Sequence, residues 1–92
     1  MERGTVFEIA KMKNQGEVFD IMHTIKDAGK KVKLLIDDGQ ELYGYPIHHT
    51  EEPDGIGFSF ETAPESANVP WIRGLSSFTC GVSDMVSFEI VD

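Results

Sequence analysis

Three groups of side chains in this 92-residue chain could do chemistry. His48 and His49, followed by Glu51, Glu52 and Asp54, gather imidazole and carboxylate donors in one short segment. These are donor types that hold zinc, and catalytic zinc needs three such ligands with one position left open. Their spacing matches no established metal motif, and neighbouring residues at a strand end point to opposite sides, so the segment reads as a solvated loop that holds no metal. Cys80, the only cysteine, could act as a thiol nucleophile with His23, His48 or His49 as its base. Nothing local in the sequence supports that pairing, and a lone cysteine reads first as a small core residue. Ser76-Ser77 lacks the Gly-x-Ser-x-Gly setting of a nucleophile elbow, and no glycine-rich phosphate loop is present. The expectation is a protein without catalytic residues and without a cofactor.

Charge is more informative than any of these motifs. Sixteen Asp and Glu face eight Lys and Arg, giving a formal charge of −8. Such a field repels phosphate backbones and attracts basic partners, so a basic protein is expected as partner ahead of free nucleic acid. Glu17 and Asp20, with Asp37, Asp38 and Glu41, are the candidate contacts, although each also suits a helix end, a turn or a solvated surface. Tyr43 and Tyr45 lie on the same side of an expected strand and, with Trp71, could stack a base or hold an apolar partner. The competing expectation is that these rings fill a second small core against the N-terminal helix.

The elements that position these residues are readable in outline. Thr5 to Ala10 suggests a strand or a short helix. Asn14-Gln15-Gly16-Glu17 has the spacing of a capping box, and Val18, Ile21, Met22, Ile25 and Ala28 follow at helical spacing until Gly29, so a helix is predicted over about 15–28. Val32, Leu34 and Ile36 alternate with Lys33 and Leu35, and Asp37-Asp38-Gly39 supplies a tight hairpin turn before a strand from Glu41 to Ile47. Gly44 marks a bend or bulge, and Pro46 places the end of that strand toward an edge. His48 to Gly55 is read as a loop, Ile56, Phe58 and Phe60 as one core-facing strand face, and Glu61 to Asn68 as an exposed loop. Val69 to Ile72 reads as a short strand, Leu75 to Thr79 as a strand or helical turn, and Asp84 to Val91, with Val86, Phe88 and Ile90 in alternation, as the closing strand.

Length allows one small domain, 1–92, too small for a spacious active-site cavity. The fold class expected is α+β, mostly β: a small barrel of about five bent antiparallel strands over about 32–91 with an N-terminal helix. One cysteine excludes an internal disulfide framework, MERGTVFEIAKMK lacks the apolar core of a signal peptide, and no stretch reaches the roughly 20 apolar residues of a membrane span. A cytoplasmic location without membrane contact is expected.

The segments VKLLIDDGQELYGYP and WIRGLSSF resemble the two motifs of the Sm-like small barrels, relatives of the SH3-like barrels: alternating apolar residues, Asp-Gly and a bending Gly, then Ile-Arg-Gly. The resemblance covers most of residues 32–78. Where that family reads a base with Asn, this chain carries Asp54, with Thr50 at the preceding Asp position and Pro53 and Gly55 breaking the apolar run. An ionised Asp54 accepts hydrogen bonds and donates none, so inherited base readout would rest on Arg73, Tyr43 and Tyr45. Within this group the chain is similar to the Rho-binding antiterminator family, whose tail compares with Leu75-Ser76-Ser77-Phe78-Thr79 and with Met85 to Val91. That resemblance implies a regulator which occupies the RNA-binding surface of transcription termination factor Rho through acidic residues. Two alternatives stand beside it: an acidic nucleic-acid mimic that inhibits another enzyme, of phage or host-defence type, and a homo-oligomeric Sm-like ring that binds RNA or a nucleotide.

Overall fold

The computed structural model describes residues 2–92. Asn14 caps an α-helix, α1, over Gln15–Asp27, its side chain accepting from the Glu17 amide at 3.0 Å. The Glu17 carboxylate reaches back one residue further than a capping box requires and accepts from the Lys13 amide at 2.8 Å. At the other end the Lys30 amide bonds the Ile25 carbonyl and the Gly29 amide bonds the Lys26 carbonyl. This Schellman closure needs a left-handed residue, and Gly29 supplies it at φ +67°. Val18, Met22 and Ile25 are buried, Ile21 is half-buried, and Ala28 at the cap is exposed, so the apolar stripe ends one turn earlier than its spacing suggests.

Six antiparallel strands form one sheet: β1 (Val6–Glu8), β2 (Val32–Ile36), β3 (Glu41–Glu52), β4 (Gly55–Thr62), β5 (Ser77–Gly81) and β6 (Met85–Ile90), in spatial order β1-β6-β2-β3-β4-β5. The N-terminal segment is thus both expected things in succession, a strand and then a 3-10 turn over Ile9–Lys11. The Asp37-Asp38-Gly39 hairpin forms with Gly39 at φ +89°. β3 corrects the sequence reading. It does not end at Ile47; it runs on through His48 and His49 and pairs with β4 up to Glu52 opposite Gly55, leaving Pro53-Asp54 as the turn. Pro46 is accommodated because the bond from the Ala63 amide to the Tyr43 carbonyl fixes the ladder so that the backbone of Pro46 faces away from β4. On that side β2 has already ended at Val32 opposite Gly44; the register then shifts between Pro46 and His48 in a bulge.

Gly44 faces inward, between the outward Tyr43 and Tyr45. A Cβ there would sit 2.8 Å from the Glu61 carbonyl oxygen and 2.9 Å from the Phe60 Cβ, so the close crossing of β3 over β4 depends on glycine. Inside the curve lie Leu34, Leu42, Phe58, Phe60, Ile72, Phe88 and Ile90, with α1 laid across through Val18, Met22 and Ile25. Each of the three fully buried phenylalanines contributes about 1.5–3 kcal/mol of apolar transfer.

Other expectations are revised. Residues 61–68 are not simply an exposed loop: Ala63 and Ser66 are buried, and Pro64–Asn68 is a 3-10 turn. Val69 to Ile72 is a turn whose two apolar ends are buried, and the segment that could be strand or helical turn becomes β5. Phe88 and Ile90 keep the core phase that the alternation predicts, but Val86 points to solvent at 46% exposure and Met85 takes its place inside. The cause is a shift in the β2–β6 register between Leu35, opposite Ser87, and Ile36, opposite Met85, which leaves Val86 in a bulge. The fold is α+β and mostly β, and the sheet does not close into a barrel: among the described residues, β1 and β5 are its two unpaired edges.

Candidate functional site

Three turns and the start of α1 meet at one end of this sheet. The β2–β3 turn carries Asp37 and Asp38, the β3–β4 turn carries Asp54 just after Glu52, and the Val82–Asp84 turn leads from β5 into β6. The Asp37 amide donates to the Asp84 carbonyl at 2.9 Å, tying the first and third turns. Gln15 ties the helix to the second, its Oε1 accepting from the Ile56 amide at 3.0 Å. Glu52, Asp54 and Asp84 line an open groove of about 310 Å³ together with Thr79 and Gly81 of β5.

The electrostatics of this end are one-sided. Among the described residues, ion pairs engage Glu8, Glu41, Glu65 and Glu89, and none engages Asp37, Asp38, Glu52, Asp54 or Asp84. Cys80 registers the field: burial, with the negative charges of Asp84 and Asp37 added, pushes its thiol from the ordinary 9.0 up to about 12. The thiol is buried, and every charge acting on it disfavours the thiolate a nucleophile needs.

The five acidic residues singled out in the sequence separate into three situations. Asp37 and Asp38 are exposed and belong to the acidic end. Glu17 is half-buried and already accepts from Lys13, and with exposed Asp20 it lines an open groove of about 420 Å³ that also holds the Lys13 cation. Glu41 is neutralised: its carboxylate lies 3.3 Å from Lys33 Nζ, which also meets Glu89 at 3.4 Å. The Glu41 hydrogen bond, opposed by partial burial and assisted by Glu89, raises the Lys33 ammonium above its ordinary 10.5. Glu52 and Asp84 were not among the acidic candidates. Glu52 was masked by the metal-like run His48 to Asp54, and Asp84 by its place at the start of a strand.

Asp54 stands apart from the Ser66–Ala67 turn, to which both the Tyr43 backbone and Arg73 bond. Asp54 lies in the turn beyond the far end of β3, whereas Arg73 donates from Nε to the Ala67 carbonyl at 3.0 Å. Tyr43 and Tyr45 are half-buried on the outer side of β3, away from the inward face that meets α1, so they do not fill a second core under the helix. Trp71 is 50% exposed and donates from Nε1 to Gln40 Oε1 at 2.6 Å. The histidines are split by the strand. His49 packs against Phe19 (ring centroids 4.8 Å apart) and toward His23 (5.7 Å), while its neighbour His48 points to the opposite side. Among the described residues no three His, Cys, Asp or Glu side chains are grouped to hold a metal ion. No helix there is long and apolar enough to cross a membrane.

No protein-family model, curated protein or solved structure matches this chain.

Proposed function

We propose that this protein is a non-enzymatic cytoplasmic regulator that docks its acidic end onto a basic, nucleic-acid-handling protein, with transcription termination factor Rho as the specific partner. The observation that carries the reading is the distribution of charge. Seven of the eight basic side chains precede Leu34, whereas eleven of the sixteen acidic ones follow it. Five of those eleven, Asp37, Asp38, Asp54 and Asp84 in the turns and Glu52 at the end of β3, stand at one end, and among the described residues no ion pair engages them. A surface of this sign complements a groove built for RNA phosphates, and complementarity of that kind speeds encounter and sets specificity. The helix followed by five strands paired β6-β2-β3-β4-β5, the Asp-Gly hairpin and the bend at Gly44 support the Sm-like resemblance from which the Rho reading comes.

The test is a titration of purified Rho with this protein at low and high salt, with a labelled RNA as competitor. Salt-sensitive binding that displaces the RNA is expected. Absence of binding at low salt removes Rho as the partner, and direct capture of the RNA by this protein replaces the reading with that of an RNA-binding Sm-like chain.

A further inference from the structure

The sheet has two open edges, and they are not equivalent. β1 is three residues long and carries the charged Glu8, itself paired with Lys11 at 2.9 Å. Short edges with charged side chains resist pairing with a further strand. β5, Ser-Phe-Thr-Cys-Gly, has no charged residue, no proline and no bulge, and its register with β4 is unbroken from Gly57 opposite Gly81 to Glu61 opposite Ser77. None of the devices that blunt an edge is present.

The direction of its free hydrogen-bonding groups follows from one bond. The Thr62 amide donates to the Ser76 carbonyl at 3.0 Å, and the same register places Phe60 opposite Phe78 and Phe58 opposite Cys80. In an antiparallel ladder these are the pairs that exchange both bonds, so the N–H and C=O of Ser77 and Thr79 point away from β4. Both residues are exposed, and among the described residues neither group has a backbone partner on that side.

Next to this edge lies the acidic groove. Thr79 and Gly81 form one wall, and Glu52, Asp54 and Asp84 supply the charge. Exposed Glu61, opposite Ser77, extends the same sign along β4. A second copy of this chain would bring a charge of −8 to the same place, so its approach is opposed. A strand bearing Lys or Arg at alternate positions would pair its backbone with β5 and direct those side chains at the carboxylates.

We infer that the β5 edge with the Glu52–Asp54–Asp84 groove is a strand-addition site for an extended basic peptide segment of a partner protein. This deepens the acidic-docking reading above and rests on it for the sign of the partner.

The experiment uses the whole protein, isotope-labelled, with two synthetic probes: a short peptide alternating lysine and valine, and one alternating lysine and proline, which carries the charge but cannot form a ladder. The lysine–valine peptide is expected to slow exchange of the Ser77 and Thr79 amides, to shift Glu52, Asp54 and Asp84, and to bind at least about tenfold more tightly than the lysine–proline peptide. T79P, which removes one outward N–H at an edge where proline is tolerated, is expected to erase that difference. If T79P fails to fold, the amide exchange in the unaltered protein decides alone. Equal binding of both peptides, with shifts confined to Asp37, Asp38 and the start of α1, overturns strand addition while acidic docking stands. Failure of the lysine–valine peptide to bind at low salt, or self-association through β5, also overturns strand addition, and the Rho titration then judges the docking reading separately.

Discussion

Ser66 places one hydroxyl between both backbone polar groups of Tyr43, accepting from the Tyr43 amide at 2.6 Å and donating to the Tyr43 carbonyl at 2.7 Å. The residue is fully buried, so no water replaces these bonds when the hydroxyl is lost. The carbonyl keeps a second partner in the Ala63 amide; the Tyr43 N–H, which points the same way, has none besides Ser66 among the described residues. S66A is therefore expected to destabilise the fold by about 1–3 kcal/mol, the cost of an unsatisfied buried donor. Urea unfolding of the variant checks it through a lowered midpoint at unchanged slope.

At Gly44 the obstacle is backbone as well as side chain. The Glu61 carbonyl oxygen and the Phe60 Cβ both lie within 2.9 Å of an added methyl, and neither is the end of a flexible chain. G44A is expected to cost at least about 1–3 kcal/mol, as overpacking does. Its calorimetric melt should fall well below that of G39A, where an added Cβ meets nothing within 4 Å and only the positive φ is strained.

Cys80 has a thiol that should be slow to alkylate at pH 8 in the folded protein and should react at the ordinary rate once unfolded. The sign of the linked pH effect follows from its raised value. Below about 9 both states hold the proton and the thiol-linked stability is intact; above it the unfolded thiol ionises first, so stability falls as pH rises toward about 12. Thermal melts of C80A and of the unaltered protein should therefore converge in alkaline buffer relative to their separation at pH 7.

Docking should distinguish acidic residues that sequence position alone treats alike. D37N with D38N is expected to weaken binding to Rho at low salt by about 3- to 10-fold and to flatten its salt dependence. E41Q should leave binding unchanged within experimental error, because Glu41 already faces Lys33. Equal losses from the two sets would place the interface on the outer sheet face instead.

The Asn14 cap offers a control on local structure. N14A removes the acceptor of the Glu17 amide and is expected to cost about 1 kcal/mol, read as a lower melting temperature with unchanged far-ultraviolet circular dichroism below it.

The extent to which this architecture is legible in the sequence depends on the range of the interactions. Asn14, Gly29, the alternation from Val32 to Ile36 and the Asp-Gly turn act within a few residues, and they read correctly. The long course of β3 does not, because Pro46 is a local signal for an ending and only pairing to β4, from which the Pro46 backbone faces away, carries the strand past it. Residues 61–68 look like an exposed polar loop and Val69 to Ile72 like a short strand, and nothing nearby announces that Ser66 will be buried against Tyr43. For the candidate site, the acidic character is evident from composition. Its location is not: the meeting of Asp37 with Asp84, and of Glu52 and Asp54 with β5, is a product of the way the sheet curls.

β3 belongs to both halves of that curled sheet, pairing along its first part with β2 and along its second with β4. Neither half can detach without taking apart a strand the other needs. Amides in β2, β3 and β4 should thus exchange with solvent at similar, slow rates through a shared global opening, while the edge amides of Ser77 and Thr79 exchange by local fluctuation. A protein built this way is expected to melt as a single cooperative unit even though both borders of its sheet stay open.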